Sequence, residues 1–234
     1  MKKALVTGAS RGIGEAIAHA LAKDGYQVCI NYLHSRERAE TLARELGGTS
    51  ICADVADDDS VRRMYDEIGD VNVLVCNAGI SQYGLLTELT PEAWRRVFAV
   101  NVDGPFNCIR HALPAMIHKK SGVIVTLSSV WGVHGASCEA AYSASKAAVI
   151  GLTRSLAKEV GPSGVRINCI APGVIDTDMM AGFSPQDRAA LCEETPLCRL
   201  GTPEEVAALA SFLVSDRARF ITGQVIGVDG AFSL

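Results

Sequence analysis

The sequence predicts a doubly wound α/β fold, with one parallel sheet of about seven strands and helices on both faces. Three observations predict it. Seven short runs rich in Val, Ile and Leu alternate with amphipathic helical stretches along the whole chain. The runs are continuously apolar, as strands covered on both faces must be. The 234 residues show no linker, repeat or low-complexity segment, so one domain over 1–234 is expected.

The first run, Lys3–Thr7 (KALVT), leads into a glycine-rich turn and a helix over Ile13–Lys23. Strands follow at Gln27–Asn31 and Thr49–Ala53, separated by a helix at Ser35–Leu46. A helix at Asp58–Glu67 leads to the strand Asn72–Cys76. The stretch Pro91–Lys119 is expected to hold two helices, broken near Asp103-Gly104-Pro105. Strand Val123–Leu127, helix Ala140–Val160 and strands Arg166–Ile170 and Gln224–Val228 complete the alternation. Each strand is short and bounded by Gly, Asp, Asn or Ser, and the connections predict right-handed crossovers. Only Asp176–Thr202 breaks the rhythm, with Met179, Met180, Gly182, Phe183, Pro185 and Pro196. Long insertions in compact domains are usually lids or binding loops, so a substrate lid is expected at about 176–202.

Composition excludes several functions. Lys and Arg number 22 against 26 Asp and Glu, a net charge of -4, which argues against a nucleic-acid partner. Hydrophobic residues at 48% and charged residues at 21% exclude disorder. Ser121–Cys138 carries no charge but is rich in Ser and Gly and contains His134, so a membrane span is not expected. The apolar run after Met1-Lys2-Lys3 ends at Gly8, too short for a secretory leader. Eight cysteines form no CxxC pair, and Cys29, Cys52, Cys76 and Cys169 lie in apolar runs. The expectation is reduced thiols, a cytoplasmic location and no metal site.

The glycine turn reads Thr7-Gly8-Ala9-Ser10-Arg11-Gly12-Ile13-Gly14. Glycines spaced GxxxGxG between a strand and a helix let backbone N–H groups approach a pyrophosphate at the helix N-terminus. In such Rossmann-type sites an NAD enzyme carries Asp or Glu at the end of the second strand. Here that position reads Asn31-Tyr32-Leu33-His34-Ser35, with Arg11 placed to meet a 2′-phosphate, helped by Arg36 or Arg38. NADP(H) is therefore expected. Asp54-Val55 is expected at the adenine, and Asn77-Ala78-Gly79 at the cofactor's ribose side.

Ser128-Ser129 closes the fifth strand at the carboxyl edge, where open α/β sheets bind ligands. Tyr142 and Lys146, at i and i+4, share one helical face. An ammonium about 4 Å from a phenolate is worth about 4 kcal/mol at an effective dielectric of 20. That would bring a phenol of ordinary pKa about 10 near 7, where acid–base catalysis works best.

Glycine turn, Asn77-Ala78-Gly79, Asn101, Ser129, Tyr142, Lys146 and Pro172-Gly173 occur in one order with compatible spacings. On these motifs the chain resembles the short-chain dehydrogenase/reductase family over essentially its whole length. The resemblance implies that Ser129 hydrogen-bonds a substrate carbonyl and Tyr142 supplies the proton. Lys146 would lower the phenol pKa and hold the nicotinamide ribose. Asn101, in Asn101-Val102-Asp103-Gly104, would hold a water. Pro172, Gly173, Ile175 and Thr177 would contact the carboxamide end of the cofactor. Cys76 departs from the family, which often has a second Asn there.

Within the family the chain most resembles 3-oxoacyl-[acyl-carrier-protein] reductases, through Asn31-Tyr32, Ser129-Val130-x-Gly132, Thr177-Asp178-Met179 and Gly223–Gly230 (GQVIGVDG). This implies fatty-acid synthesis, a homotetramer, and a basic patch for acidic carrier protein beside the active-site mouth. Lys119 and Lys120 match one such site, whereas Ser163 stands at the other. Gly135-Ala136-Ser137-Cys138-Glu139 is similar instead to reductases of a small ketone borne on protein, such as the 5-aminopentanone modification of elongation factor P. Glu139 would there pair with a substrate amine or simply face a helix N-terminus. The tail Ala231-Phe232-Ser233-Leu234 is apolar enough for an interface or for packing on its own subunit. A dinucleotide-binding sensor or scaffold is the non-enzyme alternative; all four tetrad positions are nevertheless filled.

Overall fold

A computed structural model describes residues 2–232. Its single sheet comprises β1 (Lys3–Val6), β2 (Gln27–Tyr32), β3 (Thr49–Cys52), β4 (Val73–Cys76), β5 (Gly122–Leu127), β6 (Val165–Pro172) and β7 (Val225–Val228). All neighbours pair in parallel, in the order β3-β2-β1-β4-β5-β6-β7. Side chains alternate between two cores, as a pleated strand dictates. Ala4 and Val6 of β1 face one core, with Leu5 facing the other; Val73 and Val75 of β4 oppose Leu74 and Cys76 in the same way.

One face is covered by α1 (Gly12–Lys23), α2 (Arg36–Leu46) and a helix at Pro203–Val214 that the sequence reading did not identify. That helix fills the face with Val206, Ala207, Ala210, Leu213 and Val214. Its signal was present: Thr202 and Glu205 form a capping box with Pro203 in the first turn. The opposite face is covered by α3 (Asp58–Ile68), the α4 (Pro91–Phe98) to α5 (Gly104–His118) segment, and later by the long helix Ala140–Val160.

The break expected near Asp103-Gly104-Pro105 is instead a π-turn over Ala99–Asp103, through which the chain stays helical. Pro105 has no N–H to give the Asn101 carbonyl four residues back, and a wider turn accommodates that loss. A short helix, α6 (Val130–His134), also unanticipated, precedes the long helix α7 (Ala140–Val160). The 176–202 segment contains a 3₁₀ turn at Asp178–Met180 and α8 (Pro185–Glu194), started by a Ser184–Asp187 capping box. The Pro203–Val214 helix is α9.

Of the four thiols expected in apolar surroundings, Cys29, Cys76 and Cys169 are buried, but Cys52 is exposed because β3 is an edge strand. Phe232 of the tail packs edge-on against Trp131, with centroids 5.3 Å apart; Ser233 and Leu234 lie outside the described residues. Among the described residues no helix is long and apolar enough to cross a membrane.

Candidate active site

The functional residues gather at the carboxyl ends of the strands, where the order reverses between β1 and β4. Leaving β1, Gly8 adopts φ +60°, and a Cβ there would lie 2.8 Å from the Ala78 Cα. At Gly14 a Cβ would meet Asn77 Nδ2 at 2.5 Å and the Gly8 carbonyl at 2.7 Å. The turn is therefore pressed against the end of β4, and only glycine permits it. Asn77 Nδ2 donates to the carbonyls of Thr7 (2.9 Å) and Gly8 (3.0 Å), while the Thr7 hydroxyl accepts from the N–H groups of Asn77 and Ala78 at 3.0 Å. Asn77 and Ala78 thus brace the turn from behind.

Asn31 does the same from β2. It is buried, its Oδ1 accepts from the Gly8 N–H at 3.2 Å, and its Nδ2 donates to the Ala53 carbonyl at 3.1 Å. Asn31 thus braces the turn from within β2, and Tyr32, the next residue, is buried in the core. A polar residue fits inside β2 because the turn's N–H needs a buried partner.

Asp54 closes a tight turn by accepting from the Ala56 N–H at 3.0 Å, and Val55 is buried against Gly104. Ile13 and Ile175 pack on the same core as α1. Gly173 sits against Asp229, where a Cβ would be 2.7 Å from its Cα. Of the residues around the cradle, Ser10 and Arg11 remain partly or largely open to solvent, with the Arg11 side chain 59% exposed. Arg11 is the N-cap of α1 yet makes no side-chain cap bond, so the first-turn N–H groups are not capped by it. This open, positively polarised helix end behind a glycine cradle fits a pyrophosphate.

The four residues of the expected tetrad converge beside this cradle. A Cβ on Gly79 would lie 3.2 Å from Lys146 Nζ and 3.3 Å from Asn101 Oδ1, so all three share one small volume. Asn101 is fully buried; its Oδ1 accepts from the Ile80 N–H, and its Nδ2 donates to the Ile80 carbonyl and to Ser145 Oγ, each at 2.9 Å. Its amide is thereby committed to holding the loop after β4. Pro105, four residues on, has no N–H to give the Asn101 backbone carbonyl.

Lys146 is buried and donates to the Leu127 carbonyl at 2.9 Å. Burial lowers its pKa from 10.5 to about 8, with Cys169 and Cys76 acting in the opposite direction. The Lys146 ammonium lies 5.6 Å from the Tyr142 ring centroid. Contrary to the expected depression, burial pushes the Tyr142 phenol up to about 12; its hydrogen bond with Ser129 lowers it and the Glu139 charge raises it further. The expectation counted the cation and neglected the cost of desolvating a phenolate.

Ser129 Oγ also accepts from the Trp131 N–H at 3.2 Å, starting α6. At Gly132 a Cβ would lie 2.5 Å from Ser128 Oγ and 2.7 Å from Lys146 Cβ, so α6 presses on the face of α7 that bears Lys146. Glu139 is half-buried at the mouth and accepts from the Ser81 hydroxyl at 2.8 Å.

Lys119 and Lys120 do not border this mouth within the chain. They follow the end of α5, which leads into the start of β5, whereas Ser129 follows the end of β5. At about 3.3 Å per residue, a strand of this length separates the two sides by about 20 Å. Lys119 pairs with Asp70 at 2.8 Å. Because the connection into β5 runs back along the sheet, the chemistry and these lysines fall at opposite edges.

A family profile described as Enoyl-(Acyl carrier protein) reductase matches residues 8–233. The chain is 44% identical to 3-oxoacyl-[acyl-carrier-protein] reductase FabG of Staphylococcus aureus, covering 98% of this chain and 97% of that one. It is 38% identical to an uncharacterized oxidoreductase of Bacillus subtilis, covering 99% and 98%. The crystal structure of 3-oxoacyl-[acyl-carrier protein] reductase from Brucella melitensis superposes with a TM-score of 0.94 at 38% identity, covering 100% of this chain and 91% of that one.

Proposed function

Because this chain belongs to the short-chain dehydrogenase/reductase family, we propose that it is an NADPH-dependent reductase that turns the ketone of a 3-oxoacyl thioester on acyl carrier protein into a secondary alcohol. The convergence of Ser129, Tyr142 and Lys146 beside the glycine cradle carries this reading. Gly8, Ser10, Arg11, Gly12, Ile13 and Gly14 would cradle the pyrophosphate. Lys146, Gly79 and the segment Pro172, Gly173, Ile175 and Thr177 would border the nicotinamide end. When bound, that cofactor supplies hydride.

The chain's own residues supply the rest. Ser129 and Tyr142 offer hydroxyl donors to one carbonyl oxygen, which orients the ketone and stabilises charge developing on it. A phenol held near 12 keeps its proton at neutral pH. It then donates to an alkoxide, a far stronger base than phenolate, so transfer is downhill in the direction of reduction. Lys146, whose ammonium lies 5.6 Å from the Tyr142 ring centroid, would stabilise the phenolate left behind, and water held at the Asn101 carbonyl would return the proton. The relatives at 44% and 38% identity that bear the 3-oxoacyl reductase name support the substrate class.

The half-buried Glu139 carboxylate at the mouth favours a second reading, in which the ketone carries an amine. Initial rates with an acetoacetyl thioester and with 5-aminopentanone, each with NADPH and NADH, test both. Turnover of the thioester with NADPH is expected. Aminoketone turnover alone would replace the substrate assignment, and an NADH preference would overturn the cofactor assignment. The same reading assigns a homotetramer, supported by the half-exposed Phe106 on α5 and checked by sedimentation.

A further inference from the structure

The first turn of the lid lies on the glycine turn, and one carboxylate there holds two guanidinium groups. Asp178 Oδ2 is 3.1 Å from Arg38 Nη1 and 3.6 Å from Arg11 Nη1. Arg11 stands at the N-cap position of α1 and Arg38 lies in the first turn of α2, so the two cations come from the elements flanking the end of β2. Arg36, the other cation in the first turn of α2, is engaged elsewhere, with Glu40 at 2.8 Å. Thr177 closes the same contact: its methyl is 3.5 Å from the Cβ position of Gly12. The chain thus places its own anion between the two arginines best situated for a cofactor's 2′-phosphate.

We propose that Asp178 is a specificity-determining residue that occupies the seat of the 2′-phosphate and competes with it for Arg11 and Arg38. This deepens the NADPH reading and rests on it. The three side chains are each more than half exposed, so their pairing is weak and screened by salt. A phosphate monoester carries a charge of roughly −1.5 to −2 and three acceptor oxygens, and it outcompetes a single carboxylate for guanidinium donors. Its arrival frees Asp178, repels it, and loosens the 178–180 turn from the arginines. A cofactor lacking the 2′-phosphate leaves that contact in place. The remainder of the lid is held separately, by Asp176 with Arg188 at 2.7 Å and by the buried Met180, so losing the contact does not unfold it.

The test is Asp178→Asn in the full chain, titrated calorimetrically with NADP⁺, NAD⁺ and 2′,5′-ADP at low salt. NADP⁺ and 2′,5′-ADP should bind roughly three- to tenfold tighter to the variant, from the loss of two exposed pairs, with NAD⁺ changed by less than about twofold. The gain should fade at about 0.5 M salt. In the native chain, 2′,5′-ADP but not 5′-AMP should raise amide exchange over residues 177–183. Unchanged or weaker NADP⁺ binding by the variant, or exchange unaffected by 2′,5′-ADP, overturns the competition while leaving the NADPH reading intact. A native chain that binds NAD⁺ as tightly as NADP⁺ and ignores 2′,5′-ADP overturns both.

Discussion

Replacing Lys146 with Met should remove catalysis and, at the same time, remove a burden on folding. The Lys146 ammonium is buried, and its pKa falls from an ordinary 10.5 to about 8. At about 1.4 kcal/mol per tenfold, holding that charge inside the protein at pH 7 costs about 3 kcal/mol of stability. The sign follows from proton counting. Between pH 8 and 10.5 the unfolded chain binds the proton more tightly than the native one, so stability rises with pH there. The cost is constant below about 8 and absent above 10.5. Methionine avoids the cost but leaves the Leu127 carbonyl without its donor, a loss of about 1–3 kcal/mol. At pH 7 the variant should therefore be about as stable as the native protein or up to about 2 kcal/mol more stable. Urea unfolding at pH 7 and pH 10 isolates the term, because other titrations cancel between the two proteins. The native protein should gain about 2–3 kcal/mol relative to the variant across that interval. A difference that stays flat within about 1 kcal/mol would refute the desolvation argument.

Three further substitutions probe the site. Tyr142→Phe should lower kcat by about 10²–10⁴ while NADPH affinity, followed by fluorescence, changes little; retained turnover would remove the phenol from the chemistry. Gly14→Ala drives a Cβ into Asn77 Nδ2 and the Gly8 carbonyl. It should destabilise by about 2–4 kcal/mol through overpacking and lost hydrogen bonds, and a thermal midpoint within about 2 °C of native would contradict the close approach. Asn31→Leu strips partners from the Gly8 N–H and the Ala53 carbonyl. A loss of about 2–4 kcal/mol in chemical denaturation is expected, together with weaker dinucleotide binding; a change below about 1 kcal/mol would mean Asn31 is no brace.

Much of the fold was legible because it rests on local rules. Seven apolar runs between helical stretches became seven parallel strands, since a strand buried on both faces needs apolar residues at every position. Helix α9 escaped because its cap lies at the end of the irregular 176–202 stretch, although the Thr202–Glu205 capping box marks its start. At Asp103-Gly104-Pro105 the local signal for a break was real. Packing of Val100 and Asn101 in the interior held the chain in a π-turn instead.

The site divides in the same way. Residue types and spacing alone determined the glycine turn, the Tyr142–Lys146 pair on one helical face and Ser129 at a strand end, because each depends on backbone geometry over a few residues. Only the tertiary structure decided that Asn31 supports the turn from within, and that Lys119 and Lys120 lie at the opposite end of β5 from Ser129. It also decided that Asp178, 140 residues from Arg38, shares its guanidinium. The Tyr142 phenol likewise stands near 12 rather than near 7. Spacing along a helix states which charges are neighbours, but desolvation and long-range pairing are set by everything else that packs around them.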